Sequence, residues 1–577
     1  MGGRRWPAVA VGLLVYAVAT AALYHVAVRH PGSWAPGGGR SDPGQIMWYF
    51  QWTAQCLRDG VNPFVTHHMY APDGTNLMWN TWMPLLGVVL TPVTLTFGPV
   101  AAFNLACVLG HFGTAATAWW WLSRHVDRRF PAWLGGAFVG FGPYMAGQMG
   151  GHLNLSFLVL VPVILRLVED VLWRRPDRRT RQAVLLGLAV AGQLLVTEEI
   201  LAILGISLVI AALVILALRP RLAVATARQS WSGVLVALAT FGAVVAVPLG
   251  YQLFGPRRAE GVSYPFFANT LRDLVSPTSR MLLHPFPADP TFDDGRSTSV
   301  YESGGYVGLP LLFLLLVGMV VLRRRWQAWA ALSVAVACFL VSRGPGVLEG
   351  GEPGWRWPAA ALYHLPLVDA LVAQRFSLPM ELALALLVAL TVNRLLPQQQ
   401  PDHRVVLRTV VVGLVCLAVA VSLTPRPVRK MAPVVVPEYF RDDGARGYGA
   451  LREGETVLLL PAPASPASSY AAMLWAAVAE LHFKMTDGYA YVELDSRLNL
   501  VSPPDPVTVL GDRLAAGGPP PSPAELVDAR AWLEERDVEH LLIVPSEDPG
   551  HFWERVAREA LGRPKLSGGV LSWPVEP

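Results

Sequence analysis

The sequence predicts an all-α polytopic membrane domain of about 11 transmembrane helices, followed by a small extracytoplasmic α/β domain. Three observations predict it. Of 577 residues, 53% are hydrophobic and only 15% are charged, against about 25% charged in ordinary soluble domains. Apolar runs of spanning length recur from residue 7 to residue 424, separated by arginine-rich connections. Near residue 430 the pattern changes to short apolar strands alternating with amphipathic helices. The expected domains are therefore 1–430, with a first extracytoplasmic loop at 29–82, and 431–577.

The element order follows from the arginines, which mark the cytoplasmic side. They cluster in "MGGRR", "RHVDRR" (124–129), "RRPDRRTR" (174–181), "RPRLAVATAR" (219–228), "RRR" (323–325) and "NRLLPQQQPDHR" (393–404). Spans strung between them fall at 7–28, 100–122, 132–149, 152–173, 183–197, 199–218, 232–254, 304–322, 327–343, 371–393 and 407–424. The N-terminus is then cytoplasmic. Residues 29–82, the turn at Thr197-Glu198-Glu199, the loops 255–303 and 344–370, and the tail after 425 lie outside. The apolar stretch 83–97 would break this parity as a full crossing and is read as re-entrant or interfacial. The basic start and the spans that follow it make the first helix an uncleaved anchor rather than a removed signal peptide. In the tail, Ser522 and Glu525 have capping-box spacing at a helix start.

Composition also excludes. The four cysteines (Cys56, Cys107, Cys338, Cys416) form no CxxC pair, so neither a disulfide framework nor a zinc site is expected. No P-loop, GxSxG, HExxH or dinucleotide-binding glycine pattern occurs, and no basic, aromatic-interleaved surface points to nucleic acid. The scarcity of lysine (Lys430, Lys484, Lys565) against abundant arginine fits a GC-rich bacterial genome, hence a bacterial plasma membrane.

Chemistry-bearing residues are few. In "GGGRSDPGQIMWYFQWT" (37–53) a glycine run, read as a linker, leads to Asp42. One reading makes Asp42 an N-cap, with Pro43 at the first helical position and Gln45 at the third. The helix from 43 to 59 then lies on the outer membrane surface, with Trp48, Tyr49 and Trp52 as interface anchors and Gly60 and Pro63 ending it. The other reading makes Asp42 a base that takes a proton from a hydroxyl acceptor. Glu198 and Glu199 interrupt an apolar stretch. They are read as a solvated outer turn, or as a site for an acceptor hydroxyl or an optional divalent cation, with only one of the two facing a cavity. His152, in "GGHLNLS", either caps a helix or donates to a phosphate oxygen. Arg375, at the outer end of its span, either snorkels to headgroups or clamps a phosphate. Arg257, Arg258 and Arg343 are weaker candidates for that role, and Asp73 in "APDGTN" reads as a turn residue.

The Asp after the first helix, followed by an aromatic helix, resembles the GT-C superfamily of integral-membrane glycosyltransferases. Stretches at 69–105 (with "PDGTNLMWNT"), 140–165 (with "GGHLNL"), 197–199 ("TEE"), 301–312 ("YESGGYVGLPLL") and 365–387 are similar to a group of actinobacterial GT-C-like membrane proteins. The resemblance implies transfer of a sugar from a polyprenyl-phosphate donor on the outer face; it names neither the sugar nor the acceptor. Taken with the residue readings above, the expected reaction is transfer to a cell-envelope acceptor with Asp42 as catalytic base, Arg375 with His152 on the donor phosphate, and Glu198 and Glu199 on the acceptor or an optional metal. Where such enzymes often pair two acids in the first loop, this sequence has Ser41-Asp42, so no cofactor beyond an optional divalent cation is expected. Two other classes remain open at this point: a transporter or lipid flippase with Glu198/Glu199 as proton site, and a non-catalytic envelope assembly protein.

Overall fold

The computed structural model describes residues 6–258, 267–283, 302, 304–344, 361–363, 365, 368, 371–397, 403–428, 431–441, 451–494 and 497–575. The N-terminal arginines Arg4 and Arg5 and most of the loops 255–303 and 344–370 lie outside the described residues. The chain divides into two compact units. One comprises Met1–His25, Cys107–Val245 and Tyr264–Arg429; the other comprises Val26–Ala106, Ala246–Ser263 and Lys430–Pro577.

Every stretch read as a span carries a helix. Among the described residues five helices are long and apolar enough to cross a membrane: Pro84–Leu122, Glu198–Leu218, Pro220–Phe254, Ala373–Leu395 and Val405–Ser422. Pro7–Leu23, Leu309–Val321 and Trp326–Ser342 are shorter apolar helices. Three expected spans are broken. The stretch 7–28 divides at Tyr24 into Trp6–Leu23 and His25–Arg29. The stretch 132–149 divides at Gly142, which is extended before Pro143, into Arg129–Phe141 and Pro143–Gln148; a residue preceding proline is pushed out of the helical region. The stretch 152–173 opens with the single turn Leu153–Ser156 and resumes as Leu160–Glu169. Helix Pro84–Leu122 is interrupted at Gly98 (φ 84°, ψ 165°), before Pro99. The piece 84–97 is about 20 Å long at 1.5 Å per residue, short of the roughly 30 Å hydrocarbon core, and exposes Val88, Val89, Leu95 and Phe97.

The first unit is built on the helix Ser377–Leu395, buried over most of its length. It packs against Arg129–Phe141, Leu309–Val321 and Trp326–Ser342. Glycines permit the approach: a Cβ on Gly318 would stand 2.3 Å from Thr391 Oγ1, and one on Gly135 3.1 Å from the Ala385 carbonyl oxygen. Close packing on small residues replaces the hydrophobic drive that lipid cannot supply.

The second unit holds a five-stranded mixed sheet in the order Lys565–Ser567, Val570–Pro574, His540–Ile543, Thr456–Leu460, Lys484–Met485. Thr456–Leu460 runs parallel to both of its neighbours, and the remaining pairs are antiparallel. Leu458, Leu460, Leu541, Ile543 and Trp573 from the strands bury against Val507, Leu533 and Trp553 from the helices Pro506–Ala515, Pro523–Glu535 and Phe552–Leu561. The capping box forms as expected, with Ser522 accepting from the Glu525 N–H and Glu525 reaching back. Trp34–Pro36 of the first loop pairs antiparallel with Met431–Pro433 of the tail.

The helix Asp42–Asp59 corrects three expectations. It is no surface helix. Trp48 and Tyr49 are fully buried and Trp52 is 6% exposed, because the tail helix Ala472–Val478 packs on it. Asp42 is not the cap: it is the first helical residue, and Ser41 holds the N-cap position at φ 58° without a side-chain capping bond. The glycine run is no loose linker. Gly37, Gly38 and Gly39 all adopt positive φ (60°, 70°, 79°), and Gly38 and Gly39 are buried. The C-terminal end is as read: Gly60 (φ 69°) caps it through an N–H to the Cys56 carbonyl.

Candidate functional site

The predicted residues fall into two clusters, one in each unit. Asp42 lies in the second unit. Four special conformations within five residues place it: three left-handed glycines and, after the extended Arg40, Ser41 at positive φ, a region glycine enters without a steric penalty and serine does not. A Cβ on Gly44 would stand 2.4 Å from the Gly39 carbonyl oxygen, so the turn folds back on the helix it starts. Asp42 then sits in the first turn, where the helix dipole favours a negative charge.

What Asp42 faces is not legible in the sequence. Its carboxylate lies in electrostatic range of the phenol of Tyr489 in the tail. Burial, then the negative charge of Asp42, push that phenol well above its ordinary range. Gln45, one turn along the same helix, donates to the Tyr489 carbonyl at 2.6 Å and accepts from Thr81 at 2.9 Å. Asn80 accepts from the Tyr491 N–H at 2.6 Å, donates to the Tyr491 carbonyl at 2.9 Å and accepts from the Tyr49 hydroxyl at 3.2 Å. Tyr70 donates to the Gly488 carbonyl at 2.6 Å. The Tyr470 ring lies 4.7 Å from that of Tyr489, tilted by 47°. Asp42, Tyr470, Tyr489 and Tyr491 are all partly exposed, so the carboxylate is reachable in an aromatic setting.

The second cluster lies in the first unit and centres on Arg375, in the turn Ala373–Phe376 that opens the helix Ser377–Leu395. Its guanidinium donates from Nη2 to Glu302 Oε1 at 2.7 Å and from Nε to the same carboxylate at 3.1 and 3.2 Å. Nη1 donates to Glu199, whose other oxygen accepts from the Val372 N–H at 3.2 Å. Glu302 also accepts from Gln148 Nε2 at 3.2 Å, and Gln148 Oε1 lies 2.7 Å from His152 Nδ1. Three predicted residues are thus joined: Glu199 bonds Arg375 directly, and His152 reaches it through two that sequence reasoning misses, Gln148 and Glu302. Both stand inside the stretches that carry the resemblance, and the acid in "YESGGY" is the available signal.

The electrostatics are coherent. Burial raises the Glu302 carboxyl, but the adjacent Arg375 charge outweighs it and holds the group below its ordinary range. Glu302 is therefore an anion, 4% exposed at its side chain. A guanidinium has five N–H bonds in a rigid fork. The two carboxylates leave some of them for a third anionic or polar ligand. The Tyr144 hydroxyl, in electrostatic range of Arg375, and the Gln374 side-chain amide are buried and have no hydrogen-bond partner among the described residues.

The remaining candidates resolve differently. Glu199 is committed to Arg375, and Glu198 is partly exposed at the helix start. His152 does occupy an N-cap position, of Leu153–Ser156, without a side-chain capping bond. Asp73 holds two arginines, Arg257 and Arg536, each at 2.7 Å, besides its place in the turn. Arg343 is buried. All four cysteines are unpaired. Among the described residues no group of three or more His, Cys, Asp or Glu side chains is arranged to hold a metal ion. Glu381, buried in the helix Ser377–Leu395, escapes sequence reasoning as well. Its Oε1 accepts from the Tyr144 N–H at 2.8 Å and so serves the start of Pro143–Gln148.

The family model described as Domain of unknown function (DUF6311) matches residues 10–422; the chain belongs to that family. No curated protein matches it in sequence. Among solved structures it is similar to the arabinofuranosyltransferase AftD from Mycobacteria, at 16% identity and a TM-score of 0.54. The match covers 100% of this chain and 40% of that one. A mutant of the same mycobacterial protein matches at 17% identity and a TM-score of 0.53, over 94% of this chain and 36% of that one. The oligosaccharyltransferase from Archaeoglobus fulgidus matches at 12% identity and a TM-score of 0.49, over 97% and 72%. The chain spans about 40% of the length of the mycobacterial protein whose fold it shares. That shared fold agrees with the helical membrane architecture expected from sequence.

Proposed function

We propose that this protein is an integral-membrane glycosyltransferase that moves a sugar from a polyprenyl-phosphate donor to a hydroxyl of a cell-envelope acceptor on the outer face of a bacterial plasma membrane. The observation that carries the reading is the buried Arg375 held between Glu199 and Glu302, in a chain whose fold is that of an arabinofuranosyltransferase. In this reading the chain crosses the membrane about 11 times and the tail lies outside.

Such a transfer needs a base for the acceptor and a cation for the leaving phosphate. The acceptor oxygen attacks the anomeric carbon while Asp42 takes its proton. The bond from that carbon to the phosphate oxygen breaks, and its electron pair leaves with the polyprenyl phosphate. Direct displacement inverts the anomeric centre. Arg375 receives the phosphate on the N–H bonds its two carboxylates leave, with His152 as a second donor. Glu302 and Glu199 fix the fork, because a guanidinium that needs no reorganisation stabilises developing charge best. Glu199 is thereby a holder of Arg375 rather than an acceptor ligand. Glu198 remains the acid for an acceptor hydroxyl or an optional cation.

The test is envelope-glycan analysis of a deletion strain, complemented with wild type or Arg375→Gln. Loss of a defined linkage, restored only by wild type, is expected. An unchanged glycan profile together with substrate-dependent proton movement in proteoliposomes would replace the transferase by a transporter.

A further inference from the structure

We propose that Tyr470 and Tyr489, both from the tail, form an aromatic wall beside Asp42 on which the ring of a saccharide acceptor lies, so that the hydroxyl to be glycosylated belongs to a neutral glycan. The proposal deepens the transferase reading and rests on it for the role of Asp42. The wall itself does not depend on that role.

The two tyrosines meet for a topological reason. Thr456–Leu460 and Lys484–Met485 are neighbouring parallel strands, and the helix Ala472–Val478 lies between them in the chain. Tyr470 follows the carboxyl end of the first strand and Tyr489 that of the second. Loops at the carboxyl ends of parallel strands are where α/β sheets bind their ligands. The two rings lie 4.7 Å apart, tilted by 47°, and both residues are partly exposed. Tyr470 stands at φ 56°, a left-handed conformation that a bulky residue keeps only where its surroundings impose it. Here they do. Its N–H donates to Ser468 Oγ at 3.2 Å, the Ser468 N–H to the Ser465 carbonyl at 3.0 Å, and Ser465 Oγ to Asp512 at 2.6 Å. On the second loop, Tyr70 takes the Gly488 carbonyl and Asn80 the Tyr491 carbonyl, which fixes the backbone on both sides of Tyr489.

Both loops also border the turn that carries Asp42. Leu474, four residues after Tyr470, packs on the glycine run: a Cβ on Gly39 would stand 3.0 Å from its Cδ2, and one on Gly44 3.5 Å from its Cβ. Gln45, three residues after Asp42, donates to the Tyr489 carbonyl at 2.6 Å. Asp42 stands in the chain between Gly39 and Gln45, the residues that make these contacts. The arrangement suits a sugar. A sugar ring has an apolar face of C–H bonds and a rim of hydroxyls. A phenol ring is apolar in body and polar at one end, so it covers the face, and a carboxylate accepts from the rim. Arg40, the cation nearest Asp42 in the chain, is engaged by both oxygens of Glu547 at 3.1 and 2.8 Å. That leaves two phenols and a carboxylate for the acceptor, and an acidic sugar would meet like charge.

The test uses the purified full chain. The probes are the neutral and the acidic oligosaccharide fractions released from the envelope of the deletion strain, and binding is read by saturation-transfer difference NMR. Irradiating the aromatic protein resonances should saturate the ring C–H protons of the neutral saccharides. Tyr470→Ala and Tyr489→Ala should each weaken binding by about tenfold, through loss of one ring's apolar contact. Tyr470→Phe and Tyr489→Phe keep the flat face and should retain it. Binding that survives both alanine substitutions, in variants that melt like wild type, overturns the proposal. Should those variants not fold, the wild type decides: no transfer from the aromatic resonances, or transfer to the acidic fraction alone, overturns it as well. The transferase reading fails separately, on an unchanged glycan profile of the deletion strain. Aromatic transfer to the neutral fraction, lost in the alanine variants, then keeps the saccharide site and removes its role as an acceptor subsite.

Discussion

Asp487→Asn should stabilise the protein, and by more at alkaline than at acid pH. Asp487 lies two residues before Tyr489. Ser502 donates to its Oδ1 at 2.6 Å, while Oδ2 is buried and has no partner among the described residues. Burial first, and then the charge of Asp505, raise its carboxyl from 3.8 to about 7, against smaller opposing pulls from the Ser502 hydrogen bond and Arg536. In the unfolded chain the group ionises near 3.8; in the folded chain it keeps its proton until about 7. Between those limits the folded state binds more protons than the unfolded one. Stability therefore falls as pH rises through this window and levels off above it. A shift of about three units is worth at most roughly 4 kcal/mol above pH 7, and roughly a third of that at pH 5. Asn removes the titration, keeps an oxygen for Ser502 and offers Asp505 an amide N–H. Allowing for imperfect repacking, a gain of about 1–3 kcal/mol is expected at pH 8. Thermal unfolding of the full chain in detergent, followed by tryptophan fluorescence at pH 5 and pH 8, measures it. A gain equal at both pH values, or a loss at pH 8, would refute the reasoning.

Arg375→Lys should lower transfer by about 10²–10³-fold, since an ammonium cannot span Glu302 and Glu199 as a fork does; complementation with wild-type protein levels checks it. Gly44→Ala should destabilise by about 1–3 kcal/mol, because its Cβ would meet the Gly39 carbonyl at 2.4 Å, while Gly205→Ala, with nothing within 4 Å, should not. Paired melting curves compare them. Alkaline phosphatase fused after residue 440 should be active, and an inactive fusion with an active cytoplasmic reporter there would reverse the proposed sidedness. Asp42→Asn should abolish complementation at near-normal expression, because the helix does not use Asp42 as its cap.

The helical architecture is legible because apolar length and arginine placement are local properties of the sequence. The tail is legible for the same reason: Ser522 and Glu525 announce a helix start within four residues, and the strands are short apolar runs. The errors share one cause. Trp48, Tyr49 and Trp52 have the composition of an interfacial belt, and only the packing of Ala472–Val478, far along the chain, makes them internal. Sequence places the cap at Asp42, one position late, because Asp-Pro is a strong start signal; nothing local reveals that Ser41 holds the cap at a positive φ instead. At Arg375 the residue type is informative and its partners are not. A guanidinium at a helix start fits a phosphate or a headgroup equally well until Glu199 and Glu302 are seen to hold it.

The same distance effect bears on the motif that carries the resemblance most sharply. "PDGTNLMWNT" contains no residue that the proposed reaction uses, yet its polar side chains are almost all engaged. Asp73 ties Arg257 and Arg536. Thr75 and Asn80 hold the Tyr491 backbone, and Thr81 aligns Gln45 on Tyr489. Asn76 donates to the carbonyls of Tyr251 and Pro256 at 2.9 and 3.0 Å, and the Trp79 indole to that of Gln252 at 2.9 Å. Removing one partner of a buried hydrogen bond costs about 1–3 kcal/mol for the group left behind. Four side chains, Gln45, Tyr70, Thr75 and Asn80, place such bonds on residues 488–491 alone. The segment carrying Tyr489 is thus part of the structure around Asp42 and not an appendage to it. The motif's specificity is that of a socket for the backbone of residues 488–491.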